Sequence, residues 1–216
     1  MPILNLTDRK SASTDMRLRS IGKIRKGERK GDRLYDLDHF RFVPAEGFAG
    51  AEKAFERVYG DKPRMLLGNL PFPTVEENFT TWKERWGGKV GLMHRCNGVH
   101  MVQWLDDDHS YVRDYDLEIK KPCPFGPAAE KEPPEDATPC KQVGRLSLIL
   151  PALMRELVEN GEEYGLKQAP LGFVTLVTTS EHDLANLTRE LLALENQGGR
   201  NGLRGMPVIV RRVKES

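Results

Sequence analysis

The chain has 216 residues, 38% of them hydrophobic and 30% charged, with a formal net charge of +1. That is enough chain and enough apolar surface for a real core, built as one domain with an insertion or as two small domains. No 18-residue apolar run exists and the mean hydropathy is −0.54, which excludes a helical membrane span. Residues 1–19 hold no apolar stretch of signal-peptide length, so the expected location is the cytoplasm of a bacterial cell, with no membrane partner.

Charge is unevenly distributed along the chain. Ten basic residues fall between Arg9 and Arg33, against Asp8, Asp15, Glu28 and Asp32. Arg17, Arg19, Lys23, Arg25, Lys26, Arg29 and Lys30 are the candidate nucleic-acid contacts of this arm, because such a density can neutralise phosphates and release counterions. The plainer alternative is a solvated arm that touches nothing in particular. Glu130, Glu132, Glu135 and Asp136 stand among Pro127, Pro133, Pro134 and Pro139, a composition expected to form a flexible surface loop.

In chain order, alternation predicts strands over 18–24 and 34–43, the second with a bulge at Asp38 and His39. A helix is expected over 49–59, with Ala51, Ala54, Phe55 and Val58 on one face and Gly60 as its stop. Val75, Phe79, Trp82 and Trp86 are spaced by four, three and four, which predicts a second helix over 75–86. Residues 90–93 and 99–105 read as a hairpin turning at Asn97 and Gly98. An apolar strand or helix start over 146–150 leads into a helix past Pro151. A strand is expected over 171–178, followed by a helix in which Ser180 caps the first turn, Asp183 reaches back, and Leu184, Leu187, Leu191 and Leu194 form one face. Residues 206–213 form the last strand. The elements lack a regular βαβ rhythm, so the expected class is α+β, a mostly antiparallel sheet with packed helices and a cysteine-containing insertion. The organisation predicted is a basic arm and first strand over 1–33, core over 34–93, the insertion over 94–145, and core again over 146–216.

Cys96, Cys123 and Cys140 carry the most specific chemical signal. An odd count argues against a disulfide framework, and each lies beside turn formers rather than in an apolar periodic run. Thiolates leaving tight turns are the usual donors of closed tetrahedral zinc sites. A histidine must supply the fourth ligand: His94 is nearest in sequence, with His100 and His109 behind it. The run Asp106, Asp107, Asp108 with His109, followed by Asp114 and Asp116, imitates a divalent-cation site, but a solvated hairpin loop is the stronger reading. No nucleophile elbow, P-loop or dinucleotide fingerprint is present, and the chain is expected not to be an enzyme.

Several segments together resemble a known family. Ile3-Leu4-Asn5-Leu6, residues 18–25 and Leu37-Asp38-His39-Phe40-Arg41-Phe42 look like the opening of the actinophage-type recombination directionality factors. Residues 82–88, Arg95-Cys96-Asn97-Gly98, Pro122-Cys123 and the stretch from Cys140 through residues 144–151 resemble that family's central cysteine region, and residues 173–194 and 205–208 its final strand, helix and strand. Where relatives commonly carry a second middle cysteine this chain has Phe125. The resemblance implies an accessory protein that docks on a large serine integrase, favours excision over integration, and meets DNA mainly through the integrase. The alternative is an RNA-binding module of the CRISPR RAMP type, with an RRM-like sheet and a zinc-stabilised insertion; aromatic residues exposed on the strands would favour it.

Overall fold

The computed structural model describes residues 18–31, 33–87, 90–129, 138–166 and 172–213. Arg17 and the acidic loop over 130–137 lie outside them. In chain order the elements are β1 (Arg19–Lys30), β2 (Arg33–Pro44), α1 (Ala51–Tyr59), β3 (Met65–Asn69), α2 (Val75–Asn78), β4 (Phe79–Gly87), β5 (Gly91–Cys96), β6 (Met101–Leu105), β7 (Tyr111–Arg113), β8 (Lys141–Leu148), α3 (Pro151–Asn160), β9 (Gly172–Thr178), α4 (Glu181–Glu195) and β10 (Pro207–Arg211). The fold is α+β and its strand pairing mostly antiparallel, as expected: β1 runs parallel to β9, whereas β1–β2, β3–β10, β4–β5, β5–β6 and β6–β7 are antiparallel. The chain divides into two compact units, a smaller one around Thr80–Gly144 and a larger one from the flanking stretches.

In the larger unit the strands follow the order β2-β1-β9-β8. Ile21 and Ile24 of β1 are fully buried, and Phe40 and Phe42 of β2 nearly so. Helix α1 turns Ala51, Ala54 and Phe55 inward, and the Phe55 ring stacks on Phe42 with centroids 5.3 Å apart. The helix can start only at a glycine, because a Cβ on Gly50 would lie 1.9 Å from the Tyr164 carbonyl oxygen. Between the pairs Arg25–Arg41 and Gly27–Asp36, β2 places four residues against one of β1, so the predicted bulge spans Leu37 to Phe40. Its freed backbone is satisfied elsewhere: the Phe40 amide donates to the Pro63 carbonyl at 2.7 Å and Arg212 Nε donates to the Leu37 carbonyl at 3.0 Å. Hydrogen bonds from His39 and then Arg64 hold the Asp38 carboxyl down at about 2.

Two sequence expectations are corrected. The helix predicted over 75–86 is one turn, Val75–Asn78, followed by strand β4. Asp183 does not reach back to the start of α4: its carboxylate accepts from Thr178 Oγ1 at 2.7 Å and pairs with Lys26, while Ser180 does cap the Asp183 amide. In both cases a partner distant in sequence outcompetes the local pattern. The hairpin of β5 and β6 is as expected, with Asn97 Oδ1 accepting from the Val99 and His100 amides.

Candidate metal centre

The smaller unit orders its strands β4-β5-β6-β7. Alternation along a strand sends residues two apart to the same face, so His94 and Cys96 of β5 share a face while Arg95 takes the other. On Arg95's face, Nε donates to Glu84 Oε1 at 2.7 Å, Nη1 to Gln103 Oε1 at 3.3 Å, and Trp86 Nε1 to Glu84 Oε2 at 3.1 Å. The side chain of Glu84 is fully buried, which only a nearby guanidinium and hydrogen bonds make tolerable.

On the opposite face Cys96, Met101, Trp104 and Cys123 form a buried cluster, with Phe125 and Cys140 packed against it. The loop carrying Cys123 is tied to the β5–β6 turn: the Cys123 amide donates to the Val99 carbonyl at 2.8 Å and the Gly126 amide to the Cys123 carbonyl at 2.9 Å. A Cβ on Gly126 would sit 2.6 Å from the Gly98 carbonyl oxygen, so this approach requires glycine. Cys140 stands immediately before β8. Phe125 stacks on the His94 ring at 6.3 Å and receives the Arg85 guanidinium over its face at 4.8 Å.

These elements bring His94, Cys96, Cys123 and Cys140 together, with ligand atoms all within 4.8 Å of one another. His94 Nε2 lies 3.0 Å from Cys140 Sγ and 3.8 Å from Cys123 Sγ, and the Cys123 and Cys140 sulfurs are 3.9 Å apart. A tetrahedral ion with metal–sulfur bonds of about 2.3 Å separates its sulfurs by about 3.8 Å, so the group can hold a metal ion. Its electrostatics already favour one thiolate. The hydrogen bond from Cys96, aided by His94, holds the Cys123 thiol down at about 4. The same bond and then burial push the Cys96 thiol up, and burial followed by the charge on Cys123 pushes Cys140 to about 11.

His100 and His109 do not join the cluster. Nor does the acidic run form a cation site among the described residues: Asp106–His109 is the β6–β7 turn. Asp108 there accepts from the Ser110 amide, and Asp114 takes the Glu118, Ile119 and Lys120 amides. Sequence reasoning missed both the Glu84–Arg95 pair and the capping role of Asp114, because each is one charge among several neighbouring charges in the sequence and nothing local marks it for burial.

Of the candidate nucleic-acid contacts, Arg19, Lys23 and Arg25 are exposed on β1. Lys26 is half-buried and paired with Asp183, and burial lowers its pKa. The side chains of Arg29 and Lys30, like all of Arg17, lie outside the described residues.

The fold and cluster define an α+β protein with a four-ligand cluster closed over its own side chains. Residues 21–216 match the Gp3-like family, described as recombination directionality factor-like. The match covers nearly the whole chain, which therefore belongs to that family. No curated protein and no solved structure matches it.

Proposed function

We propose that this protein is a phage-type recombination directionality factor that binds a serine integrase in the bacterial cytoplasm and favours excision over integration, without catalysis of its own. The family match over residues 21–216 carries the reading. The expected result is that, with its cognate integrase, the protein stimulates attL by attR recombination and inhibits attP by attB, and alone shows no nuclease, phosphatase or peptidase activity. Unchanged site preference with an active integrase would refute it.

In this reading the cluster holds structural zinc through His94 Nε2 and the sulfurs of Cys96, Cys123 and Cys140. Zinc would cross-link β5, the Cys123 loop and the approach to β8. Four protein ligands leave no open coordination position, as in structural rather than catalytic sites. Because Cys123 alone is a thiolate at neutral pH while Cys96 and Cys140 keep their protons, zinc uptake is expected to release about two protons. Apparent affinity should then rise with pH through the neutral range, by about 100-fold per pH unit where two protons leave, and the rise should lessen as pH approaches the Cys140 value of about 11. Calorimetry in buffers of different ionisation enthalpy checks this; proton release near zero would contradict the assignment.

Nucleic-acid binding is a minor part of the proposal. Phe40 and Phe42 are buried, and the exposed strand aromatics Tyr35 of β2, Trp86 of β4 and Tyr111 of β7 stand on strands that are not neighbours, which gives little support to the stacking platform an RNA module needs. Contact through Arg19, Lys23, Arg25 and the rest of the basic arm is electrostatic and indifferent to base sequence. The double variant Arg19→Ala, Arg25→Ala should flatten the log–log dependence of DNA affinity on salt by about 1.8, at about 0.9 per lost phosphate contact. Lys26→Ala should change that slope little, since its ammonium faces Asp183.

A further inference from the structure

The larger unit contains a cavity of about 700 Å³ that lies apart from the metal cluster and that the basic strand reaches through Lys26. One wall is α4, with Leu187, Leu191 and Leu194; the other is β10 and the residues just after it. Six consecutive residues, Val208 to Val213, line it. Successive side chains of a strand point to opposite faces, so a cavity lined by an unbroken run lies along the edge of β10, not over one face.

That edge is open. The two-stranded sheet ends at β10, which pairs with β3 on its other side. The Arg212 amide donates to the Arg64 carbonyl, and the Leu70 amide to the Met206 carbonyl. With the register Val208–Gly68 and Val210–Leu66, the even-numbered residues of β10 bond to β3. In an antiparallel ladder the intervening residues then aim their amides and carbonyls outward, so Ile209 and Arg211 present theirs to the cavity. Two ion pairs in the walls, Lys26–Asp183 and Arg212–Asp36, neutralise themselves. Glu190 on the helix wall is an exposed carboxylate that pairs with its exposed neighbour Arg189 at 3.1 Å, a surface ion pair of little worth that an incoming cation can replace.

We propose that this groove is a strand-addition site, which takes an extended segment of a partner protein as a third strand on β10, its alternate apolar side chains entering against Leu187, Leu191 and Leu194 and a basic side chain meeting Glu190. An extended segment fits because its free backbone groups pair with those of Ile209 and Arg211, whereas a helix has spent its own. A second copy of this chain is the alternative occupant, which the oligomeric state distinguishes. Five residues of β10 accommodate a segment of about 17 Å.

The site does not depend on which protein supplies the strand, so its test needs no integrase. A random nonapeptide library is selected on the immobilised full chain and on Ile209→Pro, which removes one outward amide and leaves the amides of Val208 and Val210 to β3. Selection on the wild type should enrich alternating apolar residues with an intervening Lys or Arg. Those peptides should bind Ile209→Pro about tenfold or more weakly, the loss expected for edge hydrogen bonds. Exposed Glu190→Lys, which leaves the backbone untouched, should turn the preference from basic to acidic residues. Enrichment of apolar residues at spacings of three and four, or equal selection by all three proteins, overturns the proposal. So does a dimer in sedimentation that Ile209→Pro returns to monomer, which would assign the edge to a second copy.

Discussion

Cys123→Ser is expected to abolish stoichiometric zinc binding and to lower the melting temperature by about 10 °C or more. Cys123 is the residue that both other sulfurs and His94 approach, and it alone is tied by its amide to the β5–β6 turn. Structural zinc contributes on the order of 10 kcal/mol to the folding of small modules, comparable with the whole stability of an ordinary domain. The apolar cluster around the site is small, comprising Met101, Trp104 and partly buried Val112 and Phe125 besides the cysteines, and cannot replace a cross-link of that strength. Losing even about 4 kcal/mol moves the midpoint of a chain this size by roughly 10 °C. Metal analysis and thermal melts check the result, with His100→Ala and His109→Ala as controls that should keep both metal and stability. Wild-type protein that takes up no zinc when offered it, or whose melting temperature zinc leaves unchanged, would end the zinc assignment.

The second expected result is a reversal of integrase site preference that is saturable in this protein. A ligand moves a two-state equilibrium only by its differential affinity for the two states. Passing from 1:99 to 99:1 takes about 5.5 kcal/mol, within the reach of one protein interface. Excision from attL and attR should therefore rise to a plateau with the protein's concentration rather than with time of incubation, as expected of a binding partner and not of an enzyme. Cys123→Ser should lose this effect together with its metal. Stimulation that persists after the protein is removed by dilution would contradict the binding mechanism.

Some features were legible in the sequence because their causes are local or chemically narrow. Three scarce cysteines beside turn formers, with a histidine two residues before one of them, leave few chemistries open, and two residues apart on a strand means one face. Ser180 and Gly60 mark helix ends because caps answer to the nearest amides. The alternation over 34–43 and the break at Asp38 and His39 survive as β2 and its bulge.

Other features required the folded chain. The stripe Phe79, Trp82, Trp86 has helical spacing, but β4 buries Phe79, Thr81 and Glu84 and leaves Trp86 59% exposed. A buried carboxylate breaks the apolar period, and it is stable there only because Arg95 arrives from β5. Asp183 abandons its capping role because Lys26, 157 residues away, offers it a cation. Strand β3 had no signal of its own, since Met65–Asn69 is too short to show a period and finds its partner in β10 near the other end of the chain. Local pattern thus determined which residues could bind a metal and where helices stop. Long-range pairing of charges and strand edges, whose energies depend on partners remote in sequence, decided the identity of β4, the choice of His94 over His100 and His109, and the open edge of β10.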